Sequence, residues 1–526
     1  MKKKITSILL TILFGGILYY ISLPAINFTN VGFYMYIFMI LIFYYFIDLA
    51  LNFNLKRINL RNRKPKLNIL YLIPLVCIIL VIVNVINSPL FMSKKYATRI
   101  TINQDKNFTT DIKEVDFTKL PLLDKASSQK LGDRVMGQMS DMVSQYDVSD
   151  LYTQINYNNQ ILRVTPLEYA SPIKWLTNRK EGVKGYITVD SVNGEAKLTR
   201  LKKGMKYLPS GLFNDNLTRV LRFKYPTLNF GDYSFEIDNE GNPYWVVPVI
   251  KYHGIELRAE VSGVVVLDAI TGKSVKYNVG SIPTWIDIAY SADLIIEQVD
   301  DWGTYQDGFL NSVFGQKNVV NTTDGYNYLA MNDDIYLYTG LTSIVNDESN
   351  LGFILTNMRT NETSFYSAPG AEEYSAMASA EGAVQQMGYK STFPLLINLN
   401  NKPTYLVSLK DAAGLVKMYG FVDVSDYQKV VVTDSSKGIE QAAKNYLGKD
   451  FTEEDDTKLT EKEITIKSIK TATIDGNTYY YLIDKENNKY KVSIKVSDKL
   501  PYLKADQSIK IGYSQETEIT IIKKIF

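Results

Sequence analysis

The side chains that most often carry chemistry are scarce here: 526 residues include one histidine, His253, and one cysteine, Cys77. A metal centre needs several clustered ligands, so the lone imidazole in "KYHG" builds none and reads as a turn residue. A serine nucleophile would lack a histidine base, and neither G-x-S-x-G nor a phosphate-cradling glycine loop occurs. Oxygen-rich stretches at Asp300-Asp301, Asn332-Asp333-Asp334 and Asn346-Asp347-Glu348 could hold Ca²⁺. None has the D-x-D-x-D-G spacing that converges on one ion, and solvated turns account for them. No catalytic residue, cofactor site or metal ligand is assigned, and no cofactor is expected. One chemical route stays open, because two carboxylates brought together by folding could hydrolyse a glycan. Trp175, Trp245, Trp285 and Trp302 would then offer stacking surfaces for sugar, or else anchor cores and domain contacts.

Whatever binds must be positioned by a chain that begins in grease. Residues 5–24, 31–51 and 67–86 are each apolar over about 20 residues, enough to cross a bilayer, and predict three transmembrane helices. Lys2, Lys3 and Lys4 resemble the start of a signal peptide, but no A-x-A-like cleavage site follows, so the first span is expected to stay. Lys56, Arg57, Arg61, Arg63, Lys64 and Lys66 crowd the loop after the second span, whereas the turn "AINFTN" after the first has no charge. The positive-inside rule therefore places the N-terminus and the basic loop in the cytoplasm and everything after about Met92 outside, against the weaker pull of Lys94, Lys95 and Arg99. The basic loop could also touch anionic lipid. Asp48 lies inside the second span near its cytoplasmic end, within reach of water. Gly15-Gly16 in the first span would allow close helix contact. Overall charge is near balance, with 58 Lys+Arg against 56 Asp+Glu, so no nucleic-acid partner is expected. One cysteine excludes disulfides within the chain.

Residues 93–526 alternate strand patterns with Gly, Asn, Asp and Pro. Four stretches start at a glycine and continue as a strand into a polar turn: "GYITVDSVNGEAKL" at Gly185, "GVVVLDAITGKSVKY" at Gly263, "GFILTNMRTNETSFY" at Gly352 and "GFVDVSDYQKVVV" at Gly420. Asn193-Gly194, Thr271-Gly272 and Thr360-Asn361 supply turn chemistry in three of them. Another strand precedes each hairpin, and "SFEIDNEGNPYWVV" aligns with "PLLINLNNKPTYLV" without a gap. Helical patterns come before each set, at Leu131, Val135, Met139 and Met142; at Leu217, Val220 and Leu221; at Ile295, Val299, Trp302 and Leu310; and at Met377, Ala380, Val384 and Met387. The expected unit is one helix and four strands, a helix over an antiparallel meander. Glycine steps of 78, 89 and 68 residues are too uneven for a solenoid.

The stretch "NEGNPYWVV" followed by "VVVLDAITGK", with a helix before it, resembles the PepSY type of small bacterial envelope domain, over residues 214–278 and again over 371–432. The fourth copy departs from it at Ser425-Asp426-Tyr427. The whole chain resembles a group of membrane-anchored proteins of low-GC Gram-positive bacteria and their mobile elements, a group with no assigned activity. PepSY-like domains are associated with binding and modulating peptidases or other envelope proteins, so the resemblance implies recognition more than catalysis.

Beyond Asp434, a helical "GIEQAAKNYL" and the acidic run from Asp450 read as a linker. About five strands follow, with turn signals at Asp475-Gly476 and Asn487-Asn488, enough for a small β-barrel of OB or SH3-like type. Within "YYY", alternation sends Tyr480 to the opposite face from Tyr479 and Tyr481. The expected organisation is a three-helix anchor (1–92), α+β units at 93–205, 206–285, 286–370 and 371–434, a linker (435–460) and the barrel (461–526). The expected role is a multi-pass membrane protein whose extracellular domains bind an envelope protein or a cell-wall polymer, with no residue assigned to that contact. The alternatives are a glycan-active envelope enzyme using carboxylates and an accessory subunit of an integral membrane complex.

Overall fold

Asparagine sets the hairpins. The turns Asn158-Asn159, Asn332-Asp333 and Asn400-Asn401 each hold two successive residues at φ between +50° and +66°. This is the left-handed pair a two-residue hairpin requires, and Asn and Asp tolerate it best among residues with side chains. The computed structural model describes residues 2–52, 69–343, 346–448, 460–474, 477–497, 499–513, 519–522 and 524–525. The basic loop, the acidic run from Asp450, the Asp475-Gly476 turn, and the Asp347 and Glu348 side chains lie outside what is described.

Two helices, Lys2–Ser22 and Val31–Asn52, are long and apolar enough to span a membrane. The third apolar run, expected as a span over 67–86, is shorter as an α-helix and is followed by a bend. After a 3-10 turn at Ile69–Tyr71 it forms a helix of 15 residues, Leu72–Ile86, and then bends by 49° into Pro89–Ala97. Pro89 is the cause: it can start a helix but cannot donate to the turn before it.

The chain then divides into two compact units, Met1–Ala442 and Ala443–Phe526. In the first, four sheets share one strand order. Sheet I has Tyr146–Val148, Thr153–Tyr157, Gln160–Tyr169, Val183–Asp190 and Ala196–Met205; sheet II has Asn229–Phe230, Ser234–Ile237, Pro243–His253, Arg258–Asp268 and Ser274–Asn278. Sheet III has Val320–Thr322, Asn327–Met331, Asp334–Ser343, Asn346–Asn357 and Thr363–Ala371; sheet IV has Lys390–Ser391, Leu395–Leu399, Lys402–Lys410, Val416–Asp423 and Val430–Asp434. Each time the first two strands both pair with the long third, and the last two follow as an antiparallel meander. The expected four strands are thus five, because the extra opening strand is only two or three residues long and carries no periodic signal. Helices Lys125–Gly137, Leu217–Lys224, Ala292–Tyr305 and Glu373–Ala383 precede the sheets. Met139, Met142, Leu310, Val384 and Met387 fall beyond their helices, Met387 in a following 3-10 turn. Strand Ile102–Lys106, which the 93–205 range would assign to sheet I, instead runs parallel to Thr363–Ala371 in sheet III.

Register explains the recurrent glycines. The pairing slips just before Gly185, Gly263 and Gly352. A Cβ there would lie 3.1, 2.1 and 2.1 Å from the carbonyl oxygens of Thr199, Tyr277 and Tyr366. Gly420 serves differently, admitting Ala380 of the helix above it, 3.4 Å from where a Cβ would stand. The gapless alignment of sheets II and IV hides a one-residue change of register, since Trp245 pairs with Phe235 but the aligned Tyr405 pairs with Leu396. Sheet IV turns on Asn400-Asn401, whereas sheet II needs the longer loop 238–242.

Strand alternation gives sheet II two buried faces. Trp245, Val247, Val265 and Leu267 enter one core with Leu167 and Ile187 of sheet I. Val246, Val264 and Val266 enter another with Ile335, Leu337 and Ile354 of sheet III and Ile295 of its helix. Each fully buried side chain of this kind contributes about 1.5–3 kcal/mol, so these strands act as a shared wall.

In the second unit the pairing order runs Ile519–Ile521, Lys489–Ser493, Asn477–Asp484, Thr460–Ile474, Ser508–Tyr513, Lys524–Ile525. The 15-residue strand serves both halves, through Thr460–Thr465 on one side and Ile466–Ile474 on the other. Tyr480 packs on the core with Ile466, Leu482 and Ile511, while Lys491 lies over the rings of Tyr479 and Tyr481.

Candidate functional site

The turn between the first two helices is held by sheet II. Glu256, in the loop joining the two long strands, accepts from Asn30 Nδ2 at 2.7 Å and Val31 N at 3.0 Å and donates its own N–H to Thr29 O. Ile26 N donates to Pro226 O, and Arg222 Nε to Leu23 O. Arg219 stacks on Tyr20, 4.4 Å from the ring centre. Asn84, near the end of the third helix, exchanges both bonds with Ile255. The start of the second helix and the end of the third therefore meet the same loop, while the end of the first is held by Arg219 and Arg222 of the preceding helix. His253, at the end of the strand leading into it, is mostly buried, with Nε2 2.9 Å from Glu260 Oε1.

Beside this seat, Arg99 and Arg258 share Glu297 and Asp301. Arg99 bonds Asp301 and lies 3.1 Å from Glu297; Arg258 lies 3.1 and 3.2 Å from the same acids. The Arg99 side chain is fully buried. Burial raises the Asp301 carboxyl above its ordinary value, against the pull of both arginines. Two charges of each sign offset the desolvation that would make any one of them costly.

Sheets I, II and III meet at a second polar cluster. Glu236 is 0 % exposed and accepts from Asp287 N (2.8 Å), Ile288 N (3.2 Å) and Ser234 Oγ (2.7 Å). Asp287 is 1 % exposed and accepts from Asn156 N at 2.8 Å. Burial pushes Glu236 up to about 7 and Asp287 well above its usual range, and the Glu236 charge adds to the second shift. Near them, Asp334 takes Arg359 Nε and Nη2 at 2.8 and 2.7 Å.

Sheets I, III and IV enclose a cavity of about 410 Å³. Arg163 of sheet I lines it together with Tyr152, Tyr326, Tyr328, Phe393, Leu395 and Leu406, and Asp124 and Lys125 stand at the start of the first unit's helix. A shallower polar groove of about 920 Å³ runs along the edge strand Ala196–Met205, past Lys197, Lys202, Lys203 and Glu240.

Several residues singled out in the sequence have internal partners. Asp300 accepts from Thr322 N and Oγ1, Asn332 and Asp333 form a hairpin turn, and no cluster of three metal-ligating side chains occurs among the described residues. Trp175 and Trp245 are buried in one core and donate to Asp215 and to Tyr207 O, whereas Trp285 and Trp302 pack against the other, so the four rings form no common platform. Asp48 accepts from Ser7 at 3.3 Å in the first helix, where Gly15 faces Ile40 and Tyr36 while Gly16 is open. Sequence reading passed over Glu236, Asp287 and Arg163, which sit singly in strand or loop patterns; Arg163 alone carries a signal, a charge in the apolar run "ILRVTPL". It also missed a recurrent Asx turn: Asp190, Asp268, Asn357 and Asp423, ending the fourth strand of each sheet, each accept from the backbone N–H groups two and three residues on. No family model matches the chain, and no curated protein matches it.

Proposed function

We propose that this chain is a membrane-held binding or regulatory protein of the bacterial cell envelope, displaying its sheets outside the cytoplasmic membrane to recognise an envelope protein or a wall polymer. The observation that carries this reading is the grip of sheet II on the turn 23–30. That turn lies at the end of the helix pair opposite Lys3 and Lys4, so the body stands away from the amino-terminal cations. Those cations belong in the cytoplasm by the positive-inside rule. The second helix returns the chain to the cationic side at Asn52, and a third crossing must precede Ile102 in sheet III. Residues 69–86, about 28 Å of helix at the 3-10 and α rises, suit that crossing, with Asn84 at the outer end. On this reading Pro89–Ala97 bends along the outer surface, and Arg99 is neutralised by Asp301.

The glycan-hydrolase alternative loses its best carboxylate pair, because Glu236 and Asp287 are sealed from any substrate. The PepSY-like identity of sheets II and IV and a barrel-like closure of the last unit belong to the same proposal, since both suit recognition by edges and faces. The edge strand Ala196–Met205 beside its polar groove is the contact surface this reading favours. The test is thiol labelling in cells, on a Cys77→Ser background. Ala412→Cys should react with a membrane-impermeant maleimide on intact cells, and Lys4→Cys only after lysis. The reverse pattern overturns the orientation, and release of soluble glycan by the purified chain overturns the binding role.

A further inference from the structure

Arg163 lies within the long third strand of sheet I and is 6 % exposed. Among the described residues its side chain has no hydrogen-bond or ion-pair partner, and its Nε is a buried donor with nothing to bond. The acid in its neighbourhood, Asp124, is engaged elsewhere, at 2.5 Å from Lys410 Nζ and 2.9 Å from Ser127 N. A guanidinium keeps its charge in any protein environment, so stripping it of both water and anion is strongly unfavourable. Burial works against the charged form here. A buried charge left without its partner is strongly destabilising, so an anion supplied from outside would stabilise this arrangement.

The cavity beside Arg163 has the shape and lining for that partner. Its 410 Å³ falls within the range of small-molecule sites. Tyr326 and Tyr328, with ring centres 5.6 Å apart, and Phe393 make an aromatic wall, and Leu395 and Leu406 extend it. Lys410 and Asp124 cancel each other, and Lys125 is exposed to solvent, leaving Arg163 as the one buried uncompensated charge of the lining. A planar guanidinium fork matches a carboxylate with two parallel hydrogen bonds.

We infer that this cavity binds a small organic monoanion whose carboxylate pairs with Arg163 and whose apolar body rests on Tyr326, Tyr328 and Phe393. The carboxylate belongs to a free acid or to a peptide C-terminus, and one charge inside the cavity favours either over a phosphate dianion. This inference deepens the binding reading without resting on membrane orientation, so the thiol-labelling result and the ligand result can fail separately.

The test uses the full chain in detergent micelles, with calorimetry and saturation-transfer NMR. The probes are hydrocinnamate, its amide, acetyl-alanyl-phenylalanine with a free carboxylate, the amide of that peptide, and inorganic phosphate. At least one acid should bind, with its amide weaker by roughly 10- to 100-fold, as expected for one charge-assisted pair. Whichever acid binds identifies the source of the carboxylate. Arg163→Met should lose the same factor while its denaturation midpoint stays level or rises, and Arg163→Lys should retain part of the affinity. Equal binding of acid and amide, preference for phosphate, no binding of either acid, or undiminished binding by Arg163→Met each overturns the inference. If Arg163→Met does not fold, the acid-against-amide comparison on the wild-type chain decides alone.

Discussion

Replacing Glu236 by glutamine tests the polar junction of sheets I, II and III. The carboxyl is harder to ionise in the folded chain than in the unfolded one, its pKa moving from an ordinary 4.5 to about 7. Between those values the folded state binds more protons, so stability is fully present below pH 4.5, falls as pH rises to about 7, and is level above. The size of that fall is about 3 kcal/mol for this one group. Asp287 is shifted in the same direction, so its contribution adds rather than cancels. Glutamine keeps the shape but cannot ionise. Its carbonyl can still accept from Asp287 N and its amide can donate to Ser234 Oγ, while Ile288 N loses its acceptor, at a cost of about 1–3 kcal/mol that does not vary with pH. Urea unfolding of the full chain in micelles, followed by the fluorescence of buried Trp245, should show wild-type stability declining from pH 5 to pH 8. In Glu236→Gln that decline should shrink by about 3 kcal/mol. Identical profiles for the two proteins, or a wild-type stability that rises across the window, would refute the argument that the buried carboxyl is harder to ionise in the folded chain than in the unfolded one.

Three further outcomes follow from packing. Asp301→Asn should destabilise by about 3–5 kcal/mol in the same urea assay, because it leaves the fully buried Arg99 short of its closest anion. Gly263→Ala drives a methyl into Tyr277 O, a backbone atom that cannot swing aside, and should cost about 1–3 kcal/mol; Gly16→Ala, with nothing within 4 Å, should be neutral. Glu256→Ala should leave global unfolding within about 1–2 kcal/mol of wild type but speed backbone amide hydrogen exchange at Val31, whose N–H loses its carboxylate acceptor, and not at Asn30, whose backbone N–H bonds Asn27 O.

Much of the scaffold could be read before any coordinates. The first two apolar helices and the positive-φ residues Gly194, Gly272 and Asn361 stand where hydropathy and turn chemistry place them. Such signals are local, each fixed by a few adjacent residues. The short opening strands escaped because two or three residues carry no period, and the bend after the third apolar run escaped because Pro89 lies just beyond the run's last residue. The polar junctions were invisible for a deeper reason. Glu236 and Asp287 are 51 residues apart, and Arg163 meets Tyr328 and Phe393 only after three sheets assemble. What makes each one unusual is the loss of water around it, which is a property of the packed chain and not of its neighbours in sequence.

The doubly covered sheet II has a consequence for how this molecule could change over time or be re-engineered. With apolar side chains on both surfaces, that sheet has no face left that tolerates solvent, and its hairpin is also tied to the turn between the two long apolar helices. Modules of this sort cannot be cut out, swapped or multiplied one at a time, as beads on a string can. A fragment starting or stopping between residues 206 and 370 would expose an oily surface and precipitate, so limited digestion should yield pieces that keep the first three sheets together.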